Sequence, residues 1–246
     1  MPIMIQLLGF LSFFVTALTF AQTSIDLEEA LRNPSRSVAD RDRDKNRKPS
    51  AVLRFLGVEP GHNVLDVIAM GGWYSEVLSL ATGPSGKVYM HNNPISITER
   101  TRGERAERVS RLDNLVDYVG RIGNIPGNSI DFAITALNFH DVYNRSSEEA
   151  HTLLMEIYNA LKPGGVLGII DHKGSEGRDN VALHRITFED AVDASLQAGF
   201  VLTGTSHILE NPNDDHVLPP FDSGLDRNTD RFILRLKKPI QPALFR

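Results

Sequence analysis

From Asn63 onward the chain alternates between two hydrophobic rhythms, and this alternation limits its fold more than any other feature. Short apolar runs at Asn63–Ile68 (NVLDVI), Lys87–His91, Val116–Val119, Ile130–Leu137 (IDFAITAL) and Val166–Ile170 read as buried strands. Helix-period segments lie between and after them: Trp73–Ala81, Ile97–Leu115 with Val109 and Leu112 on one side, Ser147–Leu161, and Thr187–Ala198. Gly83-Pro84, Lys162-Pro163-Gly164-Gly165 and Gly199 act as stops. Strands separated by helices build βαβ units, and so a parallel sheet covered on both faces. Phe200–Ile208 and Arg231–Lys237 also read as strands, joined only by the polar loop Glu210–Thr229. They are expected as an antiparallel pair at the end of the sheet. The expected class is therefore α/β: a Rossmann-like, doubly wound, mostly parallel sheet with a C-terminal antiparallel pair, in one domain.

The amino-terminal part breaks this rhythm. Ile3–Phe20 is uncharged and almost wholly apolar, and Thr19-Phe20-Ala21 places small residues before a possible cut at Gln22. Residues 1–21 read as a signal peptide, with an uncleaved anchor as the rival, which implies a periplasmic or secreted protein. Contact with membrane is expected only if that segment is retained. Residues 22–49 form an arm, in which Ile25–Leu31 could be a short helix and Ser35–Pro49 is crowded with Arg and Asp. Mixed charge of this kind reads as a solvated arm or helix face. The domain then spans residues 50–239, with a tail over 240–246. The net charge of −5 gives no general attraction to nucleic acid, and no basic–aromatic stripe is present. The absence of cysteine excludes disulfides, thiolate nucleophiles and Cys-ligated metal.

Ligands of open α/β sheets bind beyond the carboxyl ends of the strands. The first such loop reads Asp66-Val67-Ile68-Ala69-Met70-Gly71-Gly72-Trp73-Tyr74. Paired glycines between a strand and a helix allow close backbone approach to a ligand, and the helix start offers free N–H groups. A tight turn without a ligand would look the same. Neither G-x-G-x-x-G nor a P-loop is present, so dinucleotide and P-loop phosphate binding are not supported. Glu76 lies in the first helical turn, where a carboxylate complements the helix dipole.

The segments VLDV-x-x-x-GG, NIPGNSIDFAITAL and NALKPGGVLGIIDH together resemble the class I S-adenosylmethionine-dependent methyltransferases. Further stretches (GGWYSEVL, NFHDVYN, IIDHKGSEG, LHRI, TDRFILRLKKP) resemble a subgroup of exported predicted methyltransferases. The resemblance covers about Ser50–Pro239. It implies S-adenosylmethionine as cofactor, a small-molecule acceptor, and a cofactor-binding set of Asp66, Ala69, Gly71, Gly72, Asn92 and Asn138. The sequence departs from the family pattern in three places. The turn is usually D-x-G-x-G-x-G, but here Ile68 and Met70 hold the first two glycine positions and only Gly72 matches the third. The acidic residue expected at the end of the second strand is replaced by His91-Asn92-Asn93, and the one ahead of the fourth strand by Arg121.

Asn138-Phe139-His140-Asp141 follows the fourth strand, Asp171-His172-Lys173 the fifth, and His184-Arg185 comes soon after. In neighbouring strands these side chains would converge at one rim. Histidine titrates near neutrality, which suits it to take or hold an acceptor's proton. His140 is the expected base or positioning group, with Asp171 and His172 assisting. Helix capping is the plainer role for such residues. No compact metal motif such as H-E-x-x-H is present, so no metal is assigned, although the His/Asp rim could in principle hold zinc or iron. Three readings stay open: a methyltransferase, an exported binding module with a degenerate cofactor site, and a His/Asp metal-dependent hydrolase. The oligomeric state is open as well.

Overall fold

The computed structural model describes residues 26–240. Seven strands form one sheet in the order β3-β2-β1-β4-β5-β7-β6. β1 (Asn63–Val67), β2 (Lys87–Asn92), β3 (Leu115–Val119), β4 (Ile130–Ala136) and β5 (Leu161–His172) run parallel. β7 (Arg231–Lys237) pairs antiparallel with β5 on one side and with β6 (Val201–Ser206) on the other. The expected α/β class is therefore found, including its antiparallel carboxyl-terminal pair.

Both faces of the sheet are covered because β1, β4 and β5 are apolar on both faces. Leu65, Val67, Ala133, Leu167 and Ile169 pack under α7 (Ser147–Ala160) and α8 (Phe188–Gln197). Val64, Phe132, Ile134, Val166 and Ile170 pack under α3 (Pro49–Leu56) and α4 (Trp73–Thr82). The chain reverses winding between β1 and β4, so the crevice at their carboxyl ends is the switch point of the sheet.

Several local expectations change. The helix before Lys162-Pro163-Gly164-Gly165 ends at Ala160 as expected, and the four residues themselves lie inside β5, where a register shift against β4 accommodates them. The helix expected over 97–115 is shorter: α5 spans Glu99–Arg111, capped by Thr98 in a reciprocal capping box with Thr101. Val109 is exposed, and α5 docks instead through Thr101, Arg105 and Arg108. The residues after Asn138 form a helix, α6 (Phe139–Arg145).

The charged amino-terminal segment is only partly solvated. After α1 (Leu27–Leu31), Arg36 and Asp40 are buried, and α2 (Val38–Arg47) lies against α4 and α5. Arg108 Nη2 meets Asp40 Oδ2 at 2.7 Å and its Nη1 meets Glu76. Glu76 also takes Arg111 at 3.0 Å and Arg36 at 3.7 Å, and Arg36 forks onto Asp44. Glu76, fully buried in the first turn of α4 as expected, is thus also the hub of an ion network. Such charges stay buried because each has several partners of opposite sign. The signal-peptide assignment and residues 241–246 of the tail fall outside the described residues. Among the described residues, no helix is long and apolar enough to cross a membrane.

Candidate functional site

The β1–α4 turn keeps an unusual backbone. Ile68 (φ 56°), Met70 (φ 52°) and Gly72 (φ 83°) are all left-handed. These are the three positions at which the family pattern places glycine. A β-branched residue in this region is strained, so the surrounding contacts must hold it there. They do so from β2. His91 Nδ1 accepts from Ile68 N at 3.3 Å, and the His91 carbonyl accepts from Ala69 N at 2.9 Å. Asn92 clamps Met70, with its Oδ1 accepting from Met70 N at 2.8 Å and its Nδ2 donating to Met70 O at 3.2 Å.

Gly72 is favoured by its left-handed backbone and by packing, whereas Gly71 faces the movable end of Glu104. A Cβ on Gly71 would collide with the Glu104 carboxylate, and one on Gly72 with Met90 Sδ. Arg108 Nε donates to the Gly71 carbonyl at 2.8 Å, tying the turn to the ion network. Asp66 is buried, and Ser75 Oγ donates to it at 2.5 Å. Burial pushes its carboxyl up to about 7, although the Ser75 hydrogen bonds pull the other way. Trp73 and Tyr74 are both buried and stack edge-to-face, with Arg47 over the indole at 4.5 Å.

Across the switch point, Leu137 is also left-handed (φ 62°) and ends β4. Asn138 Nδ2 then spans the crevice to the Ile68 carbonyl at 3.0 Å and also donates to Ala136 O. On the next loop, Asp171 at the end of β5 is fully buried and accepts from His140 N at 2.8 Å, His140 Nδ1 at 2.6 Å and His172 N at 2.8 Å. That fixes the His140 ring, whose Nε2 then lies 3.3 Å from Asp141 Oδ1. Burial works against a charged His140, but its hydrogen bonds to Asp141 and Asp171 outweigh burial and carry its pKa up to about 9. The hydrogen bond from His140 in turn holds Asp141 down at about 2, against its partial burial.

His172 is placed differently. Its Nδ1 meets Thr229 Oγ1 at 2.6 Å, and burial, with positive neighbours, keeps its pKa well below the usual value. It stands as a neutral ring against His140, centroids 5.5 Å apart. His184 reaches the rim, while Arg185 turns away and forms a fully buried bidentate pair with Asp214 at 2.9–3.0 Å. That pair pins the long loop after β6. Asp230 meets His216 at 2.9 Å and Lys173 at 3.4 Å. Two cavities, of about 430 Å³ beside α1–α3 and about 250 Å³ beside β6 and α8, are lined by neither the turn nor His140.

S-adenosylmethionine carries an ammonium and a sulfonium, which call for oxygen acceptors. The Asn138 amide oxygen takes no partner among the described residues, and the carbonyls of Ile68, Ala69 and Met70 each accept only one hydrogen bond. The turn thus fits the cationic end of such a group. A ribose diol would meet neutral partners only: Asn92 is committed to the turn, and the exposed Asn93 follows it.

No family model and no curated protein matches the chain. Solved structures do. A SAM-dependent methyltransferase from Aquifex aeolicus superposes with a TM-score of 0.61 at 22% identity, over 85% of this chain and 96% of its own. An S-adenosylmethionine-dependent methyltransferase from Mesorhizobium loti gives 0.54 at 15% identity, over 76% and 96%. The cyclase SpnF gives 0.59 at 18% identity, over 85% of each chain. A cyclase among these neighbours illustrates that one fold serves more than one reaction. At these identities the likeness establishes architecture: the chain has the class I methyltransferase fold.

Proposed function

We propose that the chain is an S-adenosylmethionine-dependent methyltransferase acting on a small-molecule acceptor. The observation that carries this reading is the β1–α4 turn, whose left-handed residues Ile68, Met70 and Gly72 retain the family backbone with only the last of its three glycines. A strained backbone persists only where surrounding contacts enforce it, and such strain clusters at ligand sites. Asp66, Ala69, Gly71 and Gly72 shape the turn, Asn92 clamps it, and Asn138 with the Ile68 carbonyl would receive the ammonium. When bound, the cofactor supplies an activated methyl group on a sulfonium.

The chain's own residues then have distinct tasks. Asp171 orients His140, and His140 holds a proton at Nε2 next to Asp141. As an imidazolium at neutral pH, His140 is a donor that positions an electron-rich acceptor. It becomes a base only when that proton is removed. Neutral His172 walls the site without adding charge. Proximity and orientation then provide much of the acceleration.

Calorimetric titration of the folded protein with S-adenosylmethionine and S-adenosylhomocysteine tests the proposal. Micromolar binding of both supports it. A folded protein that binds neither overturns it. A second reading, an exported binding module without turnover, is favoured by one observation. The turn's amides at Ile68, Ala69, Met70 and Gly72 already have partners within the protein. Binding without methyl transfer to any of a panel of small acceptors would favour that module. Export itself rests on the apolar run Ile3–Phe20, and mass determination of the mature amino terminus tests cleavage before Gln22.

A further inference from the structure

The rim beside His140 holds a second arrangement that methyl transfer does not need. His140, Asp141 and His184 each offer a ligand atom, and these atoms lie within 4.8 Å of one another. Asp141 Oδ1 is 3.3 Å from His140 Nε2 and 2.9 Å from His184 Nδ1. Ligands about 2.0–2.2 Å from a zinc-like ion sit roughly 3.0–3.5 Å from each other, so little movement is required. Two imidazoles and one carboxylate also form a recognised donor set for zinc or ferrous iron.

The support behind the ligands matches as well. His140 Nδ1 donates to buried Asp171, which fixes the ring and directs Nε2 outward, as second-shell carboxylates do for metal-bound histidine. His184 occupies a left-handed position (φ 48°) and its ring stands edge-on to Phe221, 5.1 Å away. Phe221 comes from the long loop that the Arg185–Asp214 pair pins. His140 is buried, whereas Asp141 and His184 are each about half-exposed. One side of the cluster therefore faces solvent.

We propose that His140, Asp141 and His184 form a site for a divalent transition-metal cation, zinc or ferrous iron, with its remaining positions open. Three protein ligands with open positions is the pattern of a site where water or a substrate oxygen completes the coordination. Binding requires His140 Nε2 to be free of its proton. The cation then occupies the place of the His140 proton, and an acceptor oxygen bound to it would lose its own proton more readily. This site does not depend on cofactor binding.

The test uses the full chain, stripped with a chelator and titrated calorimetrically with zinc chloride, with cobalt(II) as a spectroscopic probe. One ion per chain with micromolar affinity is expected, with a cobalt absorption band typical of low-coordinate nitrogen–oxygen sites. His184→Ala and Asp141→Ala should each weaken binding by roughly 100-fold. His207→Ala, an exposed histidine paired only with Glu210, should leave it unchanged. Trp73 fluorescence confirms that each variant is folded. Binding no tighter than millimolar overturns the proposal, and so does tight binding that survives both ligand substitutions in folded protein. S-adenosylmethionine titration of the metal-free chain is read separately, so failure of either reading is distinguishable from failure of the other.

Discussion

Asp171 holds His140 at two points, by the backbone amide through Oδ2 at 2.8 Å and by ring Nδ1 through Oδ1 at 2.6 Å. The amide of His172 makes a third donor to the same carboxylate. Three donors converging on one side chain demand an acceptor at both oxygens. Asp171→Asn would turn an NH₂ group toward one or more of them. A loss of about 3 kcal/mol is expected from the buried unpaired donors, read as a lower urea midpoint. A variant as stable as the parent would show that these contacts are not maintained in solution.

Asp66 links stability to pH. Its pKa is raised in the folded chain to about 7, so the folded state binds the proton more tightly than the unfolded one. The resulting stability is fully present below the ordinary carboxyl pKa and is lost as pH rises through about 7. Between about pH 5 and about pH 8 the loss attributable to Asp66 is roughly 3 kcal/mol. Asp66→Asn should flatten that part of the profile. Denaturant midpoints at the two pH values check it, and equal slopes for both proteins would count against it.

The ion network around Glu76 should be intolerant of a missing partner. Glu76→Ala leaves Arg36 and Arg108 buried with less compensation, which costs about 3–5 kcal/mol. The indole of Trp73, the sole tryptophan, donates to the Asp40 carbonyl at 3.0 Å and so reports on the seating of α2. Its emission should shift to the red in this variant. No change in either stability or emission would refute the hub role.

Met70 offers a substitution in the opposite direction. It is left-handed and exposed (37%) at the tip of the turn, so little packing is lost with its side chain. Met70→Gly relieves the left-handed penalty and should stabilise the protein by about 0.5–1 kcal/mol after the entropy of glycine is counted. Ile68→Gly should not, because Ile68 also packs on the core beneath α7. Thermal unfolding of the two variants side by side separates strain from packing.

Much of the scaffold was legible because apolar runs and turn residues are local signals. β1, β2, β4 and β7 lie where their hydrophobic rhythm puts them. The burial of α2 was not legible, because a charged helix looks solvated until its partner is known. Asp40 meets Arg108 from 68 residues away. The convergence of His140, Asp171 and His184 followed from strand adjacency, but adjacency could not reveal that Arg185 turns away to Asp214. Nor could it show that Asn92 is used up in holding Met70. The shape of the turn was hidden most completely. Glycine announces a left-handed residue, whereas Ile68 and Met70 adopt that conformation only because His91 and Asn92 hold them there.

The position of β7 between β5 and β6 has a consequence for how the chain is made. Among the described residues β6 pairs with no strand except β7, and β7 follows β6 in the chain. Until Arg231–Lys237 has emerged, β5 presents a bare edge and β6 has nothing to dock on. Completion of the sheet therefore waits for β7, and a chain interrupted between β6 and β7 would lose two strands from the sheet, not one.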